Sequence, residues 1–185
     1  MYMRWKKYLA AGIDLVPLEL PGRGGRFKDD FIFCYEDMIE YLGNQLTHEK
    51  SAPYAFFGHS MGSLLAYGLS DYMIRNHDST PKMLLVSACA APSRREGDVF
   101  SKLETSDEFV DYLHKQGGTP DVVFNEPELL RMTINTMGAD CRICSSFEYR
   151  QKPVSPSSLS CPIHVFAGKN DDVDKEKLEA WQEVT

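Results

Sequence analysis

The chain has 185 residues, enough for one domain with a real hydrophobic core, and its 43% apolar and 25% charged residues are ordinary for a globular protein. Twenty basic residues against 27 acidic ones leave a net charge of −7, which disfavours non-specific binding to nucleic acid or to an anionic membrane. No stretch reaches the run of roughly 18 apolar residues that a membrane helix needs, and Met1–Lys7 carries charge with no apolar segment behind it, unlike a signal peptide.

Along the chain, residues 4–11 predict a helix closed by Gly12. Ile13–Leu20 predicts a short strand running into the turn cluster Pro21-Gly22-Arg23-Gly24-Gly25. Residues 35–47 place Met38, Ile39, Leu42 and Leu46 on one helical face. Tyr54–Phe57 has strand character, and a helix is expected from about Met61 to Asn76. Lys82–Ser87 is an apolar strand of the kind buried in a parallel sheet. Beyond Pro92 the strand signal stops, and Asp107–Gln116 and Glu126–Tyr149 read as helices separated by Gly117-Gly118-Thr119-Pro120. Residues 151–162, rich in Pro and Ser, return the chain to a strand at Ile163–Ala167, and Asp174–Glu183 closes as a helix with Leu178 and Trp181 inward. Alternating helix and strand argues for a mostly parallel sheet with helices on both faces, carrying a helical insertion as a lid.

Five cysteines, at 34, 89, 141, 144 and 161, are an odd number at no framework spacing, which fits reduced thiols in a cytoplasmic protein. Cys141 and Cys144 form a C-x-x-C, but a zinc site wants a second pair or a nearby His pair. Helix packing is the better reading, and no metal is expected.

The chemistry centres on Gly58-His59-Ser60-Met61-Gly62, a G-x-S-x-G sequence with a predicted strand before it and a predicted helix after it. That context is the strand-turn-helix elbow of the α/β-hydrolase fold. Glycines flank the serine because bulk at either position is expected to clash with strand and helix. The turn lifts the Ser60 hydroxyl above the sheet and aims the Met61 N–H at a developing oxyanion. His59, next to the nucleophile on a tight turn, is expected to point away from it. In this fold the order is Ser, then Asp or Glu, then His. The acid belongs in the loop after a late strand, which Gly168-Lys169-Asn170-Asp171-Asp172 supplies; either aspartate fits, the other serving as a helix cap or solvated acid. The histidines are 48, 59, 77, 114 and 164, and none follows Asp172. His164 reads as a strand residue, His48 and His77 as surface groups near helix ends, and His114 as part of the lid, so the general base is not assigned from the residues.

Four segments together resemble the type II (external, editing) thioesterases of polyketide and non-ribosomal peptide synthesis, and the related medium-chain acyl-carrier-protein thioesterases. They are Leu20–Phe27, Pro53–Ser63, Gly117–Pro120 with Ala139-Asp140, and Cys161–Ile163 with Phe166–Gly168 and Glu179–Trp181. The resemblance implies a single α/β-hydrolase domain with a core of about 1–92 and 150–185 and a lid of about 93–149. It implies Ser60 as nucleophile, Met61 as one oxyanion donor, and Asp171, three residues past Gly168, as the orienting acid. It implies no cofactor.

The family pattern also starts with an earlier strand and a Gly-rich turn, and it ends with a Gly-Gly-His loop carrying the base. The resemblance therefore places both outside this stretch, the histidine beyond Thr185, as in a chain truncated at both ends. Where the family has a basic residue before Ala139-Asp140, this chain has Gly138. The implied function is release of acyl or aminoacyl groups from the phosphopantetheine arm of an acyl or peptidyl carrier protein. Arg23, Arg26, Arg94 and Arg95 are the candidates for docking that acidic partner. The alternatives are a carboxylesterase or lipase on the same scaffold, and a non-catalytic carrier-binding module if the chain has no base.

Overall fold

The computed structural model describes residues 2–46, 52–95, 105–149 and 159–184. His48 and most of the return segment, residues 151–158, lie outside them. The chain divides into two compact units, Met1–Phe31 and Ile32–Thr185.

In the first unit the N-terminal helix is shorter and tighter than the sequence predicts, a 3-10 segment over Tyr2–Lys7. The strand expected at Ile13–Leu20 is not formed: no ladder pairs it among the described residues, and Ile13 and Val16 are each 56% exposed. An apolar stretch becomes a strand only where a neighbour takes its N–H and C=O groups. The Gly-rich cluster is a turn, as predicted. Gly22 and Gly24 take positive φ (79° and 53°), and the Gly25 N–H donates to Glu19 Oε2 at 3.0 Å.

The second unit holds three parallel strands, β1 (Phe56–His59), β2 (Leu84–Ser87) and β3 (Ile163–Phe166), in the order β1-β2-β3. Phe56 stands opposite Leu84, and Leu84 opposite Ile163. Parallel neighbours need long crossovers. Helix α2 (Met61–His77) carries the chain from β1 to β2. The crossover from β2 to β3 includes α3 (Ser106–Gln116), α4 (Asp121–Asn125) and α5 (Pro127–Ser146). As the middle strand, β2 buries Leu84 and Val86 completely.

Helix α1 (Tyr35–Leu46) packs against α2 and buries Met38, Ile39 and Leu42 of the face read from the sequence, while Leu46 is half-buried. The two helices approach closely because each has a glycine facing the other's tyrosine: a Cβ on Gly43 would lie 2.3 Å from the Tyr72 ring, and one on Gly68 2.1 Å from the Tyr35 hydroxyl. That hydroxyl donates to the Leu64 carbonyl at 2.7 Å, and burial holds the Tyr35 phenol far above its ordinary pKa.

Helix α5 is amphipathic along its length as well as around it. Its C-terminal half buries Ala139, Cys141, Ile143 and Cys144, so the C-x-x-C cysteines are packed in the core as thiols, not as a disulfide. Its end is fixed to α1: the Tyr35 N–H donates to Ser146 Oγ at 2.8 Å, and the Phe147 ring meets that of Tyr35 edge-on at 4.8 Å. Towards the N-terminal side, Val122 of α4 and Leu129 and Met132 of α5 stay exposed. Helix α3 opens with a capping box between Thr105 and Glu108 and closes on Gly117 at φ 66°.

The predicted closing helix is split into α6 (Lys175–Glu179) and a 3-10 turn over Ala180–Val184. Trp181 is buried there, its Nε1 donating to the Cys89 carbonyl at 2.9 Å and its ring edge-on to Tyr67 at 6.0 Å. Burial of such a side chain contributes about 1.5–3 kcal/mol, which ties the chain end to the segment leaving β2.

Candidate active site

Ser60 links β1 directly to α2 with φ 52° and ψ −123°. A side chain other than glycine at positive φ costs on the order of 1–3 kcal/mol and persists only where its surroundings enforce it. Here the Ser60 N–H donates to the Ser87 carbonyl at 2.8 Å, and the Ser60 carbonyl accepts from the Ser63 N–H at 2.8 Å. The residue is exposed, and among the described residues no hydrogen bond engages its hydroxyl. The Met61 N–H lies at the first position of α2, where backbone donors have no partner inside the helix and the helix dipole is positive.

The two flanking glycines differ, contrary to the sequence expectation that both avoid a clash. A Cβ on Gly58 would lie 2.0 Å from the Gly62 carbonyl oxygen, whereas one on Gly62 meets nothing within 4 Å among the described residues.

The predicted acid sits at the same end of the sheet. The ladder continues one step past its strands, because the Ala88 N–H donates to the Phe166 carbonyl at 2.9 Å. Ser60, Ala88 and Ala167 therefore mark one carboxyl-terminal edge, where open parallel sheets place their ligands. The loop beyond β3 tightens through Asp171 N–H to the Gly168 carbonyl at 3.2 Å. Asp171 and Asp172 are both exposed. Neither caps the following helix; that position is Asp174, which makes no side-chain cap bond. With strands about 4.8 Å apart, β1 and β3 stand about 10 Å apart across β2.

The histidines are dispersed. His59 Nδ1 is 3.1 Å from Ser87 Oγ, and His164 is exposed on β3. His114 stacks on Phe124 at 3.9 Å, joining α3 to α4. His77 leans on Tyr72, and its Nε2 is buried with no hydrogen-bond partner among the described residues. Among the arginines expected to dock a partner, Arg26 pairs with Asp29 at 2.8 Å and Arg94 pairs with Glu183. A groove of about 610 Å³ runs along β3, lined by Cys161, Ile163, Val165, Leu178 and Trp181, but no residue of the elbow lines it. Among the described residues no group of three or more His, Cys, Asp or Glu is placed to hold a metal, and no helix is long and apolar enough to cross a membrane.

Sequence reasoning passed over Ser63 and Ser87. Both lie within hydrogen-bond reach of the elbow, and the available signal was a small hydroxyl residue three positions after Ser60.

The family profile described as "Thioesterase domain" matches residues 1–185. The chain belongs to the thioesterase family. Its relatives agree with that membership. The gramicidin S biosynthesis protein GrsT of Aneurinibacillus migulanus is 28% identical over 185 residues, which are all of this chain and 71% of GrsT. Among solved structures, ClbQ from the colibactin NRPS/PKS pathway superposes with a TM-score of 0.89 at 31% identity, covering all of this chain and 77% of ClbQ. The type II thioesterase BorB from the borrelidin biosynthetic cluster gives 0.85 at 32%, covering 100% and 74%. This thioesterase thus has the α/β-hydrolase fold read from its sequence, and it is a hydrolase of thioester bonds.

Proposed function

We propose that this thioesterase clears acyl or aminoacyl groups from the phosphopantetheine arm of a carrier protein, with Ser60 as nucleophile and Asp171 as the orienting acid. The Ser60 oxygen bonds to the thioester carbonyl carbon, the C–S bond breaks, and the thiol leaves with the proton taken from the serine. Water then adds to the acyl-enzyme and releases the carboxylic acid, restoring the hydroxyl. The observation that carries this reading is the elbow: an exposed serine at φ 52° and the first N–H of a 17-residue helix, at the carboxyl edge of a parallel sheet. Asp171 is two strands away on that edge. Strands spaced about 4.8 Å apart leave room across β2 for an imidazole held between acid and hydroxyl.

Residues 93–149 serve as a lid on the core of 1–92 and 150–185. The exposed Val122, Leu129 and Met132 give its helices apolar surface for an acyl chain. The partner is an acyl or peptidyl carrier protein in the cytoplasm. GrsT, named for gramicidin S biosynthesis, ClbQ, from an NRPS/PKS pathway, and BorB, a type II thioesterase of a biosynthetic cluster, support this choice.

Turnover of one acyl group presented as a carrier-bound thioester, as a small thioester and as an oxygen ester tests the reading. The carrier-bound thioester should have the highest kcat/KM. Preference for the oxygen ester would favour a carboxylesterase. Carrier binding without turnover would make the protein a binding module.

A further inference from the structure

We infer that Ser63 is a positioning residue for the hydrolytic reaction, its hydroxyl holding the elbow in the strained geometry that presents Ser60. The inference rests on the reading of Ser60 as nucleophile. Ser63 and Ser70 are the fully buried polar residues among the described residues, and they behave differently. Ser70 donates to the Ala66 carbonyl at 2.8 Å, a bond back along its own helix. The Ser63 hydroxyl leaves its helix and enters the sheet. It lies 2.9 Å from the Gly58 carbonyl oxygen and 3.1 Å from the Ser87 carbonyl oxygen, and it accepts the Ser87 N–H at 3.1 Å.

The parallel register explains why this position matters. Gly58 stands opposite Val86 and His59 opposite Ser87, so the last turn of the ladder before the elbow lies between the Gly58 carbonyl and the Ser87 N–H. One hydroxyl touches both groups, from the third residue of the helix that the elbow starts. The same residue's backbone N–H donates to the Ser60 carbonyl at 2.8 Å, and the Ser87 carbonyl beside its hydroxyl accepts the Ser60 N–H. Both backbone polar groups of Ser60 are thus fixed by atoms that Ser63 contacts or carries. A hydroxyl with one proton and two lone pairs fits this place, with one carbonyl as acceptor and one N–H as donor. An alanine leaves the Ser87 N–H without its hydroxyl partner and frees the first turn of α2 from the strand ends.

Ser63 does not reach the substrate, so its effect should fall on kcat. A misplacement of about 1 Å in a reacting group costs about 100-fold, and partial loosening of the elbow should cost about tenfold. The test measures kcat, KM and the denaturation midpoint for Ser63→Ala, Ser63→Cys and Ser63→Thr on a small acyl thioester, beside Ser60→Ala. Cysteine preserves the volume with a weak donor, and threonine keeps the hydroxyl. The inference expects kcat to fall about tenfold in Ser63→Ala and Ser63→Cys, with KM within about twofold, and to recover in Ser63→Thr. Full kcat in the folded Ala or Cys variant would overturn it, as would a loss that appears in KM alone or that matches the unfolded fraction. If Ser60→Ala retains turnover, the nucleophile assignment fails instead, whatever Ser63 does.

Discussion

Gly58→Ala probes the elbow with one methyl group. The added Cβ would stand 2.0 Å from the Gly62 carbonyl oxygen, 2.2 Å from its carbonyl carbon and 2.5 Å from the Ser63 nitrogen. All three are backbone atoms of the first turn of α2, so no side-chain rotation relieves the clash. Restoring even a tight contact requires β1 and α2 to separate by about 1 Å. Overpacking of this kind costs about 1–3 kcal/mol of stability. A 1 Å shift of the reacting group costs about 100-fold in rate. The loss should therefore exceed what the lowered stability explains. Gly62→Ala is the internal comparison, because its Cβ meets nothing within 4 Å among the described residues and alanine favours a helix interior over glycine by about 1 kcal/mol. Thioester turnover and urea denaturation on both variants check the argument. Equal activity in the two, or a Gly58→Ala variant with native kcat, would refute it.

Asp171→Asn should reduce kcat towards the loss of about 10⁴ that a serine protease shows when its orienting acid becomes an amide, while Asp172→Asn should cost far less; the reverse order in a kcat comparison would move the acid to Asp172. Gly117→Ala with Gly118→Ala should change turnover of carrier-bound substrate more than that of a small thioester, since Gly117 closes α3 at φ 66° and alanine there is strained by about 1–2 kcal/mol. An equal effect on both substrates would show that these glycines do not govern access. Tyr35→Phe should cost about 1 kcal/mol at neutral pH through the lost bond to Leu64. Its folded pKa lies above the ordinary value of about 10, so the unfolded chain loses that proton first and the stabilisation is lost as pH rises from about 10 towards the folded value. Denaturation at about pH 7 and about pH 11 should show a flatter alkaline decline in Tyr35→Phe than in the parent, and an unchanged decline would contradict the burial argument.

Local signals were legible where one element carries its own pattern. The α1 face, β2 and the strand-Ser60-helix elbow all follow from apolar spacing and from the glycines around one serine. Ile13–Leu20 failed because strand formation depends on a neighbour, which no local pattern supplies. The split of the 174–183 helix reflects Trp181 reaching a carbonyl at Cys89, a contact 92 residues away in sequence. Arg94 was a docking candidate in sequence because its partner Glu183 is 89 residues away, whereas the pairing of Arg26 with Asp29 spans only three residues. Ser63 escaped for the same reason: buried serine in a helix reads as an ordinary packing residue until the sheet beside it is placed.

The most direct measurement is mass spectrometry of the protein after exposure to an acyl phosphonate or a slowly hydrolysed acyl thioester. The account predicts a covalent adduct on the peptide containing Ser60, lost in Ser60→Ala together with thioester turnover. An adduct on another residue, or turnover that survives Ser60→Ala, would contradict it.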